Sequence, residues 1–512
     1  MGLDKTKLFV REATGLVKNL SLLDAVSINI SDMSAGAALA TIGFTTILLP
    51  TMAGVNLVYG SLIGFVLVVP QLVVYTMMAR RVPRTGGDYV WTSRSLGGFA
   101  GNLLAFIGYT LGNLPFAALI ALSAVIAIGS AGVALGYNGL LGLALPGNIP
   151  GADTTSQFIV AAALLAVLFA INVIRPKIAY RLISLFTVVG IISILLAIGT
   201  LLAAGQQGVA TFINSLGVSG LTYQSVAGSY TGPNFDFSAT LVFVPFFALF
   251  SYPWVNAGPA VGSELKGKSA VRWNVPISAL IVMLLVTGGF ATMYYVGGFA
   301  FTNGALANST LVEGYSFNFW TLAMGVTSPV VAWIIGIGWI LWFVNILAYL
   351  IVVEARYLMA QAFDRFLPAR VAYVNRYGSP VVAHAIDFVI ILAIIAGAAY
   401  FYGTFVSLYG TIVGPMIYFA FVGVSAAVYA LRHERGSARA VLALAGVLSA
   451  LAFLFLVYEF LAYPGVWGGN PLAYGYLVGA AVAGVVIYVL SKTYHSKRGI
   501  DISLSFKEIP PE

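Results

Sequence analysis

One acid, Asp32, stands inside a stretch otherwise apolar enough to lie within a bilayer. The stretch reads Ser27-Ile28-Asn29-Ile30-Ser31-Asp32-Met33-Ser34-Ala35-Gly36, placing five polar side chains and a glycine where a membrane helix would carry Leu or Val. A charge at the bilayer centre costs about 2.5–3.5 kcal/mol on insertion scales. Such an acid must be solvated, protonated or paired. No Lys or Arg is expected at its depth, so its partner is a proton, a ligand cation, or backbone groups freed by a helix break. A second abnormal stretch reads Phe250-Ser251-Tyr252-Pro253-Trp254-Val255-Asn256-Ala257-Gly258-Pro259, with two prolines and a glycine. Each proline removes a backbone donor, and irregular backbone at membrane depth persists only where protein or a watery cavity satisfies it. Both stretches are therefore read as discontinuous helices. At the first, the backbone at Ser34, Ala35 and Gly36 would open a half-helix N-terminus, whose free N–H groups suit a carboxylate. At the second, Phe250, Tyr252 and Trp254, with Ser251 among them, offer faces to an apolar side chain or a cation. Asn29 and Ser31 either line the same site or bond neighbouring helices. The candidate substrate-binding set is thus Asn29, Ser31, Asp32, Ser34, Ala35, Gly36, Phe250, Ser251, Tyr252 and Trp254. Asp32 is also the candidate for a coupled proton, because removal from water favours the neutral acid.

The elements that must position these residues follow from the basic ones. All 25 Lys and Arg residues fall into seven clusters, from Lys5–Lys18 to Lys492–Lys507, separated by six apolar intervals of 52 to 84 residues. A bilayer core takes about 20 apolar residues per helix, so each interval holds an out-and-back pair. Six pairs make twelve transmembrane helices, an all-α membrane protein. Basic residues stay on the cytoplasmic side, which puts both termini inside. The spans are predicted at about 24–49, 56–79, 97–130, 157–174, 181–204, 239–262, 275–299, 328–360, 380–401, 403–430, 438–460 and 474–491. The segments between the fifth and sixth spans (about 205–238) and between the seventh and eighth (about 300–327) read as outer loops. The broken spans are the first and the sixth, five helices apart. An odd number of crossings inverts the second set, which is the build of transporters with a midplane site between inverted repeats. The expected organisation is a cytoplasmic segment 1–20, a first five-helix repeat 21–205, an outer loop 206–238, an inverted repeat 239–430, a final helix pair 431–491 and a cytoplasmic tail 492–512.

Composition bounds the function. The chain is 60% hydrophobic and 8% charged, which excludes a soluble protein of this length. Its net charge of +8 is divided among the seven segments, so it is a topology signal and not a nucleic-acid footprint. With no cysteine, thiolate metal sites and disulfides are excluded, and the three histidines have no metal-ligand spacing. No cofactor and no metal are expected.

The segments near the basic clusters resemble the amino acid–polyamine–organocation superfamily of transporters, amino acid permeases among them. Arg80-Arg81-Val82-Pro83-Arg84-Thr85-Gly86-Gly87-Asp88-Tyr89-Val90 is similar to that family's loop after helix 2. Arg356-Tyr357-Leu358-Met359-Ala360, with Asp364-Arg365-Phe366-Leu367-Pro368, resembles the end of helix 8, and Gly378-Ser379-Pro380 the start of helix 9. Leu249 to Lys266 follows the helix 6 pattern ungapped, with Phe250, Tyr252, Glu264 and Lys266 in register. The resemblance implies the leucine-transporter-type fold, two extra C-terminal helices, and transport of amino acids or related amines. It also implies that the broken part of helix 1 binds carboxylate and amine while Phe250 covers the substrate. The chain departs from the family pattern at Asp32-Met33-Ser34-Ala35-Gly36, where a Gly-x-Gly run is frequent, and at Trp254 and Asn256. Gly190 aligns with a helix 5 lysine that many members use, and Ala355 replaces a helix 8 serine. These last two departures count against both the lysine device and a sodium site.

Glu264, Glu354 and Arg356 read as ion pairs of an inner gate or of fixed loop structure. Asp387 is a further buried acid, and Asn345 an interhelical hydrogen bond. The function these readings favour is secondary active transport of an amino acid or amine at the plasma membrane, proton-coupled, with the lipid bilayer and a small-molecule substrate as partners. An amino acid/polyamine exchanger is the alternative. A channel would carry polar rings on several helices, and an intramembrane enzyme would need a nucleophile and base that are missing here.

Overall fold

The computed structural model describes residues 9–10, 13–147, 149–402 and 408–510. The leading residues of the first basic cluster, the expected start of the tenth span at 403 and the last two residues lie outside the described residues. Among the described residues, eleven helices are long and apolar enough to cross a bilayer, and a shorter apolar helix covers Phe237–Ala248. Strands are absent there; two isolated bridges, Leu20 to Leu265 and Thr85 to Val261, are the only extended pairings.

The first span is two helices, α1 (Leu22–Met33) and α2 (Ala35–Thr46). Ser21 starts α1 through a capping box with Asp24. The break is one residue wide. Ser34 sits at φ 42°, ends α1, and caps α2 by accepting from the Ala37 N–H at 3.3 Å. A side chain in that left-handed region costs about 1–2 kcal/mol. Neighbours hold it there: the Met33 carbonyl accepts from Ser251 Oγ at 3.1 Å and the Gly36 carbonyl from Trp320 Nε1 at 2.9 Å.

Then follow α3 (Leu57–Arg81), a short α4 (Gly87–Leu96), α5 (Gly98–Ala134), α6 (Thr154–Ile174) and α7 (Pro176–Ser215). Within α5 a π-helical turn covers Phe106–Thr110. The sixth span departs most from expectation. Helix α8 (Phe237–Ala248) stops at its midpoint, residues 249–256 are non-helical, and α9 (Ala257–Ala260) is one turn long. Pro253, which lacks a donor, lies within this gap. Next come α10 (Gly267–Gly297), α11 (Pro329–Phe363), α12 (Val381–Gly397), α13 (Val413–His433), α14 (Gly436–Ala462) and α15 (Pro471–Ser496).

Two outer segments read as loops are largely helical. Helix α7 continues to Ser215 across a kink at Gly205, whose φ of 59° suits glycine. Tyr223–Gly228 forms a turn of helix capped by Thr222 and Ser225. Phe299–Leu306, Ser309–Tyr315 and Phe319–Gly325 fill the second segment, the last two capped by Asn308 and Asn318. Cap residues and short helices leave little hydrophobic period to read, because each spans two turns or fewer.

Trp342 of α11 packs at the centre. A Cβ on Gly36 would come within 2.1 Å of its indole, and one on Gly190 within 2.8 Å. The indole fills the space in front of Gly190, so a lysine there would have no room.

Candidate functional site

The two breaks satisfy each other's freed backbone. The Ala257 N–H donates to Asp32 Oδ2 at 3.1 Å and the Gly258 N–H to Asn29 Oδ1 at 2.7 Å. Gln71 Nε2 donates to the Pro253 carbonyl at 2.9 Å, and Trp254 Nε1 to that of Leu249 at 2.8 Å. Unsatisfied groups at this depth would cost several kcal/mol each, so part of the polarity of the first span serves the second. Asn29 is fully used: its amide also donates to Asn274 at 2.8 Å. Ser31 belongs to another cluster, accepting from Asn345 Nδ2 at 2.7 Å beside Thr187. Asn345 is thus the interhelical bond expected of it.

A small cavity lies beside the first break. It brings together Asp32, Ser34 and Phe250. The rest of its wall comes from α5 (Phe116, Leu119, Ile120, Ser123), α11 (Phe343, Ile346), α2 and Tyr409. The other seven residues of the sequence-derived set are not in this wall. Ala35 and Gly36 are buried behind it, Gly36 against Trp342. Ser251 bonds the first break, and Tyr252 turns to Ser61 of α3. Trp254 stacks on Phe116 with centroids 5.2 Å apart, one layer behind the wall. Sequence reasoning missed Phe116, Phe343 and Tyr409, which sit in spans of unremarkable apolar composition.

Asp32 has no cationic partner among the described residues; its carboxylate keeps the Ala257 N–H, and the Tyr349 hydroxyl lies beside it without hydrogen-bond geometry. Phe250 stacks on Tyr409 at 4.1 Å, and Tyr409 with Thr41 also lines a vestibule that reaches Pro146 and Glu313. Tyr409 and Thr41 thus line both spaces, with Phe250 stacked on Tyr409 from the cavity side.

The opposite, basic end is closed by many contacts. Arg356 bonds Glu264 at 3.0 and 3.2 Å, and Tyr180 joins both at 2.8 Å; the side chains of the pair are 2% and 4% exposed. Glu354 does not take part. Residues two apart on a helix do not face each other, and Glu354 Oε1 instead accepts from Asn113 Nδ2 at 2.6 Å. Leu20 and Leu265 pair as a bridge: the Asn19 and Leu20 N–H groups donate to the Glu264 carbonyl at 3.1 and 3.0 Å, and the Lys266 N–H to Leu20 at 2.7 Å. Thr85 bonds Ser263. Asp88 of α4 accepts from Tyr75, from Tyr357 at 2.6 Å and from Tyr418 at 2.9 Å. Burial pushes its carboxyl up to about 6, and the three tyrosine donors hold it from going further. Arg94 clasps Asp364 with two bonds of 2.6 Å.

A bundle of membrane-length apolar helices, with two of its elements broken around one central cavity, belongs to the class of multi-pass membrane proteins. The model of the amino acid permease family matches residues 20–489, and the chain belongs to that family: it is a transporter of the amino acid type and not an enzyme. A stretch of 81 residues is also 32% identical to an uncharacterized protein, number 399, of Sulfolobus islandicus rod-shaped virus 1. That match takes in 16% of this chain and 20% of the viral protein.

Proposed function

We propose that this permease is a secondary transporter that carries a neutral amino acid across the plasma membrane by alternating access, coupled to protons. Its path makes twelve crossings, with the repeats 21–205 and 239–430 inverted about the cavity and both termini cytoplasmic. The observation that supports this best is the meeting of Asp32, Ser34 and Phe250 in one cavity. The substrate ammonium pairs with Asp32. Its carboxylate lies at the positive N-terminal end of α2, whose Ala37 and Ala38 line the cavity. Its side chain lies among Phe116, Phe250, Phe343 and Ile346. Among the described residues Asp32 is the one charged group in that wall, so a second charge on the substrate would be buried unpaired. That argues for a neutral side chain over a cationic one or a polyamine.

The test is a screen of amino acids by thermal shift, since a ligand stabilises by RT ln(1 + [L]/Kd), followed by uptake into liposomes. Neutral amino acids are expected to bind, to accumulate when the outside is made acidic, and to lose binding in Asp32→Asn. Conductance without accumulation would make the protein a channel. Uptake that requires internal substrate and ignores the pH gradient would make it an exchanger.

A further inference from the structure

A cleft at the basic end stands apart from both the substrate cavity and the Arg356–Glu264 pair. Four cations line it: Lys18 from the chain ahead of α1, Arg80 from the last turn of α3, and Lys268 and Arg272 from the first two turns of α10. Among the described residues, no acid stands in its wall. The ion pairs formed among the described residues, Arg81–Glu434, Arg94–Asp364 and Arg356–Glu264, leave Arg80, Lys268 and Arg272 without a carboxylate. Like charges gathered in one cleft repel each other unless an anion enters. The cleft also heads two lipid-facing rows. Arg80 follows Leu62 by about five helical turns, and so continues the exposed row of Leu62, Val66 and Val69 on α3. On α10 an exposed row of Trp273, Leu280 and Leu284 starts beside Arg272, whose guanidinium lies 4.9 Å from the Trp273 ring centroid. The two helices pack together, with Ser61 Oγ 2.7 Å from Thr287 Oγ1. At 1.5 Å per residue, Arg80 stands about 16 Å along its helix from Val69, and Arg272 about 12 Å from Leu280. Half of a bilayer core is about 15 Å. A molecule with an anionic head and acyl chains of one leaflet's length therefore meets both the cations and the apolar rows, whereas a soluble anion would meet the cations alone.

We propose that this cleft seats the phosphate headgroup of an anionic phospholipid, whose acyl chains run along the exposed rows of α3 and α10. Each cation beside a membrane surface favours anionic lipid by about fivefold. Pro83, Gly262 and Leu265 also line the cleft. They flank the Thr85–Ser263 bond and the Leu20–Leu265 bridge. The headgroup thus ties the chain ahead of α1, the end of α3 and the start of α10 across the seam that closes the basic end.

Trp273 reports on the seat. The full chain in phosphatidylcholine vesicles is titrated with phosphatidylglycerol brominated on its acyl chains, a contact quencher of tryptophan, and in parallel with brominated phosphatidylcholine. The difference between wild type and Trp273→Phe isolates the signal of this one indole. Phosphatidylglycerol is expected to quench it at a far lower mole fraction than phosphatidylcholine does. Arg80→Gln combined with Lys268→Gln, which leaves Arg272 on its ring, should weaken that preference by about 25-fold, fivefold for each cation. Removing as much charge outside the cleft, by Arg435→Gln with Arg439→Gln, should leave it unchanged. Equal quenching by the two lipids, or an equal loss in both double variants, would reduce the cleft to the general attraction of a basic face and overturn the proposal. Relief of the quenching by millimolar glycerol phosphate in solution would also overturn it, by making the site one for soluble anions. Phosphatidylglycerol should further raise the melting temperature of the wild type and not that of the Arg80 and Lys268 double variant; a rise of the same size in both would detach the lipid from the seam.

Discussion

The two ends of the cavity are closed in different ways. Toward the vestibule, cavity and opening share Thr41 and Tyr409, and Tyr409 stacks on Phe250. Toward the basic end, a buried ion pair, a carboxylate held by three tyrosines, a backbone bridge and the Arg94–Asp364 clasp lie in series. Aromatic stacking is worth about 0.5–1.5 kcal/mol beyond its area, and breaking a buried charge pair costs several. The difference teaches which door is thin. Opening toward the vestibule asks the stack of Phe250 on Tyr409 to part, whereas opening toward the basic end asks α1, α4, α11 and the segment after α9 to part together.

The largest test of that contrast is Arg356→Ala. It strands Glu264 in the thick closure and should cost about 3–5 kcal/mol of stability, read by denaturant unfolding in detergent. Replacing both partners by Glu264→Gln and Arg356→Met should recover much of it. A single-variant loss no larger than that of a surface pair would mean the closure does not depend on this pair.

Asp88 gives the next effect, through pH. Its carboxyl is pushed up to about 6 in the folded protein, against about 3.9 when unfolded. The folded state thus holds the proton more firmly, so the contribution of Asp88 to stability is fully present below about pH 4 and is lost as pH rises through about 6. Melting curves should show that decline in the wild type and lose it in Asp88→Asn. Parallel curves would mean that another group sets the slope.

On the thin side, Phe250→Ala should weaken substrate binding by about 1–3 kcal/mol, the range for a buried aromatic anchor, with a smaller change in melting temperature. Isothermal titration separates the two. Unchanged affinity would remove Phe250 from the site.

The smallest effect belongs at the periphery. Arg81 pairs with Glu434 at partly exposed positions. Arg81→Gln should cost about 0.2–1 kcal/mol, less at high salt. A loss comparable to that of Arg356→Ala would extend the thick closure to the surface.

The spans and both breaks were legible because they rest on strong, cheap signals: charge confined to the loops, and prolines or polar side chains where lipid-depth helices exclude them. Asp32, Ser34 and Phe250 followed from the same signals. The remaining wall did not. Phe116, Phe343 and Tyr409 are aromatics in a chain that is 13% aromatic, and nothing local marks which way each faces. Gly36 and Gly190 read as an open site and a missing lysine; both are explained by one residue far away, Trp342. The grouping of Glu354 with Arg356 came from adjacency in sequence, although the helix turns by about 100° per residue and sets them on different faces. The helical outer segments escaped because caps such as Asn308 and Asn318 look like loop residues until the helix behind them is seen.

The bridge between Leu20 and Leu265 gives the chain's leading segment a mechanical office. Three backbone hydrogen bonds stitch it to the strand of chain that leaves the second break. When the basic end parts, that seam must unzip or travel as a unit with its partner. A pair of spin labels at Asn19 and Lys266 would therefore act as a gauge across the door at the basic end, and any bulky fusion placed just ahead of Leu20 would load the hinge it was meant only to mark.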